Sequence, residues 1–279
     1  MKIVTTANEM LEYSNRVRAL GASVGFVPTM GALHQGHASL VERATKSCDK
    51  VVVSVFVNPT QFNQSSDLDA YPRTFETDKA LLEDLGVDVM FYPTVDEIYP
   101  SGKSVASFDL DGLDEFMEGP NRPGHFNGVV QVVTRLFDLV KPSKAFFGEK
   151  DFQQLAVISH MSKKLGYEVE VIGCPTVRET GGLAMSSRNM RLSEEAKHTT
   201  LAIFQTLQQT RPNIEDYGIE KAKELAIVEL KSVEQFELEY FELVDAKTLR
   251  PASDETTEIQ ACVALWVEGV RLIDNMKVK

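Results

Sequence analysis

The chain has 279 residues, of which 43% are hydrophobic and 25% charged, and its net charge is −12. At about 150 residues per domain this length predicts two domains, with enough buried surface for a core that needs no disulfide or metal. The composition excludes disorder, collagen-like repeats and coiled-coil arrays, and the charge excludes a basic nucleic-acid footprint, since there are 17 basic against 23 acidic residues up to Arg178 and 12 against 18 after it.

No run of about 18 apolar residues is present to span a membrane. The N-terminus turns polar after Val4, unlike a signal peptide. Cys48, Cys174 and Cys262 are far apart and odd in number, so no disulfide framework or CxxC site is expected. These features predict a cytoplasmic protein.

In chain order, a helix is predicted over Thr6 to Leu20, stopped by Gly21, then an apolar strand over Ser23 to Val27. Gly36 to Cys48 has helical spacing at Leu40, Val41 and Ala44. Val51 to Val57 is apolar on both faces, as a central parallel strand is. A helix follows near Thr74 to Leu85, then a strand from Val87. Val129 to Val140 reads as a long apolar helix, core or subunit contact. Next come a short strand at Ala145 to Phe147, a helix at Phe152 to Leu165 and a strand at Glu168 to Ile172. This alternation predicts an α/β fold, a Rossmann-like doubly wound parallel sheet.

After Arg178 the order changes. Helices near Glu194 to Gln209 and Ile219 to Ser232 precede strand-like runs FELEYFELVD, ACVALWV and GVRLID, which predicts a smaller C-terminal α+β domain. The expected division is 1–178 and 179–279. Trp266 reads as core, and the three cysteines as structural, with no activating partner in view.

Ligands of open α/β sheets sit beyond the carboxyl ends of the strands. There the sequence reads Pro28-Thr29-Met30-Gly31-Ala32-Leu33-His34-Gln35-Gly36-His37 and enters a helix, whose free N–H groups suit phosphate. His34 and His37 share one face and could steady charge on phosphate oxygens. The plainer alternative is that they cap and pack. A metal pair lacks a third ligand at a recognisable spacing. HxGH at a strand-to-helix turn resembles the HIGH signature of nucleotidyltransferases.

Such enzymes carry a second phosphate loop, and Met185-Ser186-Ser187-Arg188 follows the Gly181-Gly182 pair here. Hydroxyls beside a guanidinium make a polyphosphate clamp; a helix cap with a solvated Arg is the alternative. Asn58-Pro59-Thr60-Gln61 ends the most buried strand, as a binding loop or an ordinary turn. Gly148-Glu149-Lys150-Asp151 sits at another strand-to-helix junction and continues to Gln154. Lys150 can meet phosphate as a point charge, and Asp151 can cap the helix or bind a sugar hydroxyl.

The motifs PTMGALHQGH, VFVNPTQF, YPR, RPGHFNGV, GEKDFQQL and GLAMSSRN occur together from about Val24 to Leu192. In this order and spacing the chain resembles the pantoate–β-alanine ligases. The resemblance implies ATP and Mg²⁺, with the metal carried on the ATP phosphates rather than in a protein cage. It implies attack of pantoate carboxylate on the α-phosphorus, loss of pyrophosphate, and displacement of AMP from pantoyl adenylate by β-alanine. His37 would be the proton donor with His34 its companion, and Lys150, Ser186, Ser187 and Arg188 would hold the phosphates. Pro28 to His37, Gly148 to Asp151, Val177 and Met185 would surround the nucleotide. Gln61 would hold pantoate and β-alanine and Gln154 pantoate, with Asn58, Arg122 and His125 as further substrate contacts, although a surface Arg and a helix-entry His are the alternative for the last two. A homodimer is implied, with no nucleic-acid or membrane partner.

Two departures stand out. Gly181 occupies a position where an acidic residue is expected, which predicts a more flexible linker, and the loop Asn63-Gln64-Ser65-Ser66 is less acidic than expected. The competing readings are a HIGH-type transferase that stops after nucleotidyl transfer and a non-catalytic nucleotide sensor. The acceptor-site amides of NPTQF and GEKDFQQ disfavour the first, and the complete set of phosphate-binding residues disfavours the second. No GxxxxGK[ST] or GxGxxG is present for a P-loop kinase or a dehydrogenase.

Overall fold

In the computed structural model, which describes residues 1–62, 68–100 and 107–279, six parallel strands form one sheet in the order β1-β4-β3-β2-β5-β6. They are β1 (Lys2–Val4), β2 (Val24–Thr29), β3 (Lys50–Val55), β4 (Val89–Phe91), β5 (Lys144–Gly148) and β6 (Glu170–Cys174). Helices α1 (Ala7–Ala19), α2 (Gln35–Ser47), α3 (Phe75–Asp84), α4 (His125–Val140) and α5 (Phe152–Lys164) connect them. Residues of α1, α4 and α5 share one apolar cluster, and those of α2 and α3 share another with the buried strand residues Val27, Val53 and Phe146. Helices thus cover both faces, as the doubly apolar strands require. The predicted Rossmann-like sheet is observed.

The chain moves from β2 toward β3 and β4 on one side and later adds β5 and β6 on the other. The carboxyl ends of β2 and β5 therefore meet where the strand order reverses, the place such sheets reserve for ligands.

Strand β1 has no counterpart among the predicted elements. Its three residues are too short to show a period and become a strand by pairing with β4, Lys2 opposite Val89 and Val4 opposite Phe91. Helix α4 starts at His125, four residues before the apolar run, after Gly124 turns at φ +80°.

The C-terminal part has α6 (Leu201–Tyr217) and α7 (Ile219–Ser232) against an antiparallel sheet of β7 (Glu237–Asp245), β8 (Ile259–Val267) and β9 (Val270–Lys277). The sheet's other face carries Tyr240 and Cys262 onto Met117, Phe152 and Ala156 of the first part. Arg178, the last residue of the expected first domain, is bound into the second. Its guanidinium donates to both Asp274 carboxylate oxygens at 2.6 and 2.9 Å and lies 4.5 Å from the Phe204 ring centroid.

The glycine pair after Arg178 forms a tight turn rather than a loose linker. Gly182 N–H donates to Glu179 O at 2.9 Å, and Gly181 and Gly182 take φ of +107° and +111°. A Cβ on Gly182 would stand 2.1 Å from the Phe204 ring. The Asn63 to Ser66 loop lies outside the described residues.

Candidate active site

The turn after β2 is held on three sides. Thr29 hydroxyl donates to Ser54 O at 2.7 Å and accepts from Gly31 N–H at 3.2 Å. The Asp78 carboxylate, 1% exposed, accepts from Ala32 N–H at 3.0 Å and Leu33 N–H at 2.8 Å. From the Met185–Arg188 segment, Ser187 hydroxyl donates to Ala32 O at 3.0 Å. Ala32 sits at φ +50°, a left-handed conformation costly for a residue with a Cβ, and these contacts hold it there.

The turn delivers His34 to the N-cap of α2. Its Nδ1 accepts from Gly36 N–H at 3.1 Å, and His37 Nδ1 accepts from His34 N–H at 3.3 Å. A ring nitrogen that accepts carries no proton, so both neutral imidazoles hold theirs on Nε2. Capping and ligand binding are compatible here because they use opposite ring nitrogens. The ring centroids are 4.1 Å apart. Burial, and then the Lys150 charge, lower His34 to about 4; burial, with His34 and Lys150, lowers His37 to about 3. Both are neutral hydrogen-bond donors at pH 7.

Lys150 and Asp151 lie in the single turn between β5 and α5. Asp151 occupies the N-cap position of α5 but makes no side-chain capping bond, so the plain capping alternative for it does not hold. Ser186 does cap, accepting from Arg188 N–H at 3.3 Å.

These elements enclose a cavity of about 180 Å³, walled by Pro28, Met30, His34, Gly36 and His37 on the β2 side and by Gly148, Lys150 and Asp151 on the β5 side. Val177, Met185, Ser186, Ser187 and Arg188 close it. Gly31, Ala32, Leu33, Gln35 and Glu149 are not on its wall; the first three shape the turn. A second cavity of about 170 Å³ adjoins it, walled by Thr29, Asn58, Gln61 and Gln154 among the apolar Val132, Val133 and Leu136 of α4. Both cavities share Met30, His37, Tyr71, Asp151 and Gln154.

Asn58 is 1% exposed and satisfied internally, accepting from Tyr99 hydroxyl at 2.8 Å and donating to Gly128 O at 3.3 Å. Arg122 and His125 stand behind Gln61 rather than on the wall of its cavity. Arg122 Nη2 donates to Gln61 O at 3.2 Å and His125 Nδ1 to the same oxygen at 2.9 Å. Arg122 also faces a space of about 300 Å³ between the two parts, together with Lys150, Arg188, Trp266 and Arg271. Trp266, expected in the core, is the half-buried exception on β8 because its side chain reaches this space.

Sequence reasoning missed Asp78, Tyr71 and Asn275, whose side-chain amide donates to Lys150 O at 2.8 Å. Asp78 begins no motif and looks like any acidic residue in the first turn of a helix. Tyr71 belongs to the noted YPR motif, which was the available signal. The three cysteines are free, and burial pushes each thiol up, so none is activated.

Among the described residues no three His, Cys, Asp or Glu side chains are grouped to hold a metal ion, and no helix is long and apolar enough to cross a membrane.

A family model described as pantoate-beta-alanine ligase matches residues 2–277. A protein of Bacteroides thetaiotaomicron named pantothenate synthetase is 46% identical over 281 residues, covering 100% of this chain and 99% of its own. The crystal structure of pantothenate synthetase from Thermus thermophilus superposes with a TM-score of 0.93 at 44% identity, over 100% of this chain and 99% of the other. That of pantoate-beta-alanine ligase from Francisella tularensis, complexed with beta-gamma ATP and beta-alanine, gives a TM-score of 0.83 at 33% identity, over 99% and 97% of the two chains.

Proposed function

The chain belongs to the pantoate–β-alanine ligase family, and from that premise we propose how its residues use ATP to join pantoate to β-alanine as pantothenate. The supporting observation is the wall the two cavities share, Met30, His37 and Gln154 among it, across which a carboxylate held at Gln61 and Gln154 would face Lys150 and Arg188.

ATP occupies the larger of the two. Lys150, Ser186, Ser187 and Arg188 hold its phosphates, and Gly148, Val177 and Met185 with Pro28, Met30 and Gly36 enclose the nucleoside. Pantoate occupies the second cavity, its dimethyl carbon against Val132, Val133 and Leu136, and its hydroxyls and carboxylate on the amides of Gln61 and Gln154. Asn58 shapes that loop. The carboxylate attacks the α-phosphorus, the bond to pyrophosphate breaks, and the Nε2–H groups of His37 and His34 donate to the oxygens that gain charge. The β-alanine amine, admitted beside Gln61, then attacks the acyl carbon of pantoyl adenylate and AMP leaves. Positioning and charge neutralisation carry most of the rate.

Asp151 is the carboxylate on the nucleotide wall among the described residues; Mg²⁺, implied by the family resemblance, would enter on the ATP phosphates. A homodimer, implied by the family resemblance, and a cytoplasmic location, expected from the sequence features, complete the reading; light scattering on the purified chain measures the first.

The test follows ATP, Mg²⁺ and pantoate with and without β-alanine by ³¹P NMR and mass spectrometry. AMP, pyrophosphate and pantothenate are expected, with β-alanine required for turnover. ADP, or no pantoate-dependent product, would overturn the reading. Lys150→Met and His37→Gln are each expected to lower kcat by about 10²–10³, the scale of a lost preorganised donor.

A further inference from the structure

A buried ion network links the C-terminal sheet to Gln61. Arg271 on β9 donates through Nη1 and Nη2 to the two carboxylate oxygens of Glu118, both at 2.9 Å. Tyr240 on β7 donates its hydroxyl to Glu118 at 2.7 Å, and Arg271 Nε donates to Glu239 at 2.7 Å. Glu118 is 7% exposed. From the opposite side Arg122 Nη1 approaches the same carboxylate at 3.4 Å and donates to His125 Nε2 at 3.1 Å. His125 therefore keeps its proton on Nδ1, the atom that donates to Gln61 O.

One carboxylate thus separates two guanidinium groups, and one of those groups, with the imidazole it orients, fixes the backbone of Gln61. The local chain is shaped for this. Met117 takes φ +54°, and a Cβ on Gly119 would stand 1.8 Å from Asp114 O. Glu118 N–H is held by Gln153 Oε1 at 2.9 Å. Arg271 also forms part of the wall of the 300 Å³ space between the two parts, so a shift of the C-terminal sheet moves the charge on which Glu118 and Arg122 depend.

We propose that Glu118 and Arg271 are positioning residues that couple the seating of the C-terminal sheet to the orientation of Gln61, and so to pantoate binding. This rests on the reading of Gln61 as a pantoate amide. A network serving only to glue the two parts together would affect ATP and pantoate alike, because the phosphate clamp also belongs to the interface.

The experiment compares the full-length chain with Arg271→Lys, Tyr240→Phe, Gln61→Ala and the double variant Gln61→Ala/Arg271→Lys, measuring KM for pantoate, KM for ATP, kcat and thermal midpoint. Arg271→Lys is expected to raise KM for pantoate about tenfold while KM for ATP stays within about twofold, and Tyr240→Phe, which removes one bond without removing a charge, shifts it the same way by about two- to threefold. The double variant is expected to bind pantoate no more weakly than Gln61→Ala alone, because coupled residues are non-additive. Losses that multiply, or equal rises in both KM values, would overturn the coupling while leaving the ligase reading intact. A wild-type chain that makes no pantothenate, or a Gln61→Ala variant with unchanged KM for pantoate, would remove the reading of the site and the coupling with it.

Discussion

Asn275, on the last strand, donates its side-chain N–H to the carbonyl of Lys150 at 2.8 Å and reaches that of Glu149 at 3.0 Å. The same amide accepts from Gln260 Nε2 at 2.7 Å. A residue 125 positions away thereby fixes the turn that carries Lys150, the cation proposed to meet phosphate. Asn275→Ala deprives two carbonyls and the Gln260 amide of their partner. It is expected to cost about 1–3 kcal/mol and to lower kcat, read by urea unfolding and steady-state rates. Asn275→Asp, which sets a carboxylate against two carbonyls, is expected to be worse; an Asp variant equal to wild type would sink this account.

Asp78 supports the left-handed Ala32. Asp78→Ala leaves the buried Ala32 N–H and the part-buried Leu33 N–H unpaired, at about 1–3 kcal/mol for a fully stranded group and less for the second. Asp78→Asn retains one acceptor oxygen and is expected to fall between. Denaturant midpoints for the three chains should follow that order, with activity declining in parallel.

Gly36 is small because His34 folds back over it. An added Cβ would lie 2.8 Å from His34 Cε1 and 2.9 Å from Nδ1. Inside a helix, Gly→Ala ordinarily stabilises by about 0.5–1 kcal/mol. Gly36→Ala is therefore expected to hold its melting temperature within a few degrees while kcat/KM falls at least about tenfold. A fully active variant would show that His34 need not occupy the cap.

The arginine–aspartate pair between Arg178 and Asp274 has side chains 19% and 5% exposed. Removing one partner strands a buried charge, and Arg178→Met is expected to destabilise by about 3–5 kcal/mol. Removing both, with Arg178→Met/Asp274→Leu, should recover much of that loss in the same unfolding assay.

Three histidines set the acid limit. Burial, assisted by neighbouring cations, lowers His34 and His125 to about 4 and His37 to about 3. Their unfolded forms titrate near 6.5. The unfolded chain therefore binds protons first as the pH falls. Stability from these groups is nearly full above about 7.5 and is lost as the pH falls through 6.5 toward 4, with a slope approaching about 1.4 kcal/mol per pH unit for the buried His125 and less for the half-buried His34 and His37. Burial would raise the Glu118 carboxyl, but Arg271 overrides it and holds it at about 2, which adds a further loss below 4.5. Urea midpoints at pH 8, 7.5 and 5 should be nearly level between the first two and drop at the third. His37→Gln should flatten that drop.

Much of this protein was legible in one dimension. Strands apolar on both faces require helices on both sides, and a Gly-rich turn leading from such a strand into a helix suits a phosphate. Val51 to Val57, HxGH and MSSR carried those inferences without any contact being known. What only tertiary structure decided are the partners of those residues: Asp78 beneath Ala32, Asn275 on Lys150, and Glu118 between Arg122 and Arg271. The physical reason is that a buried carboxylate or amide has no periodic signature. Its meaning comes from the partners that surround it, and here the decisive ones include groups on strands and turns 45 to 153 positions away.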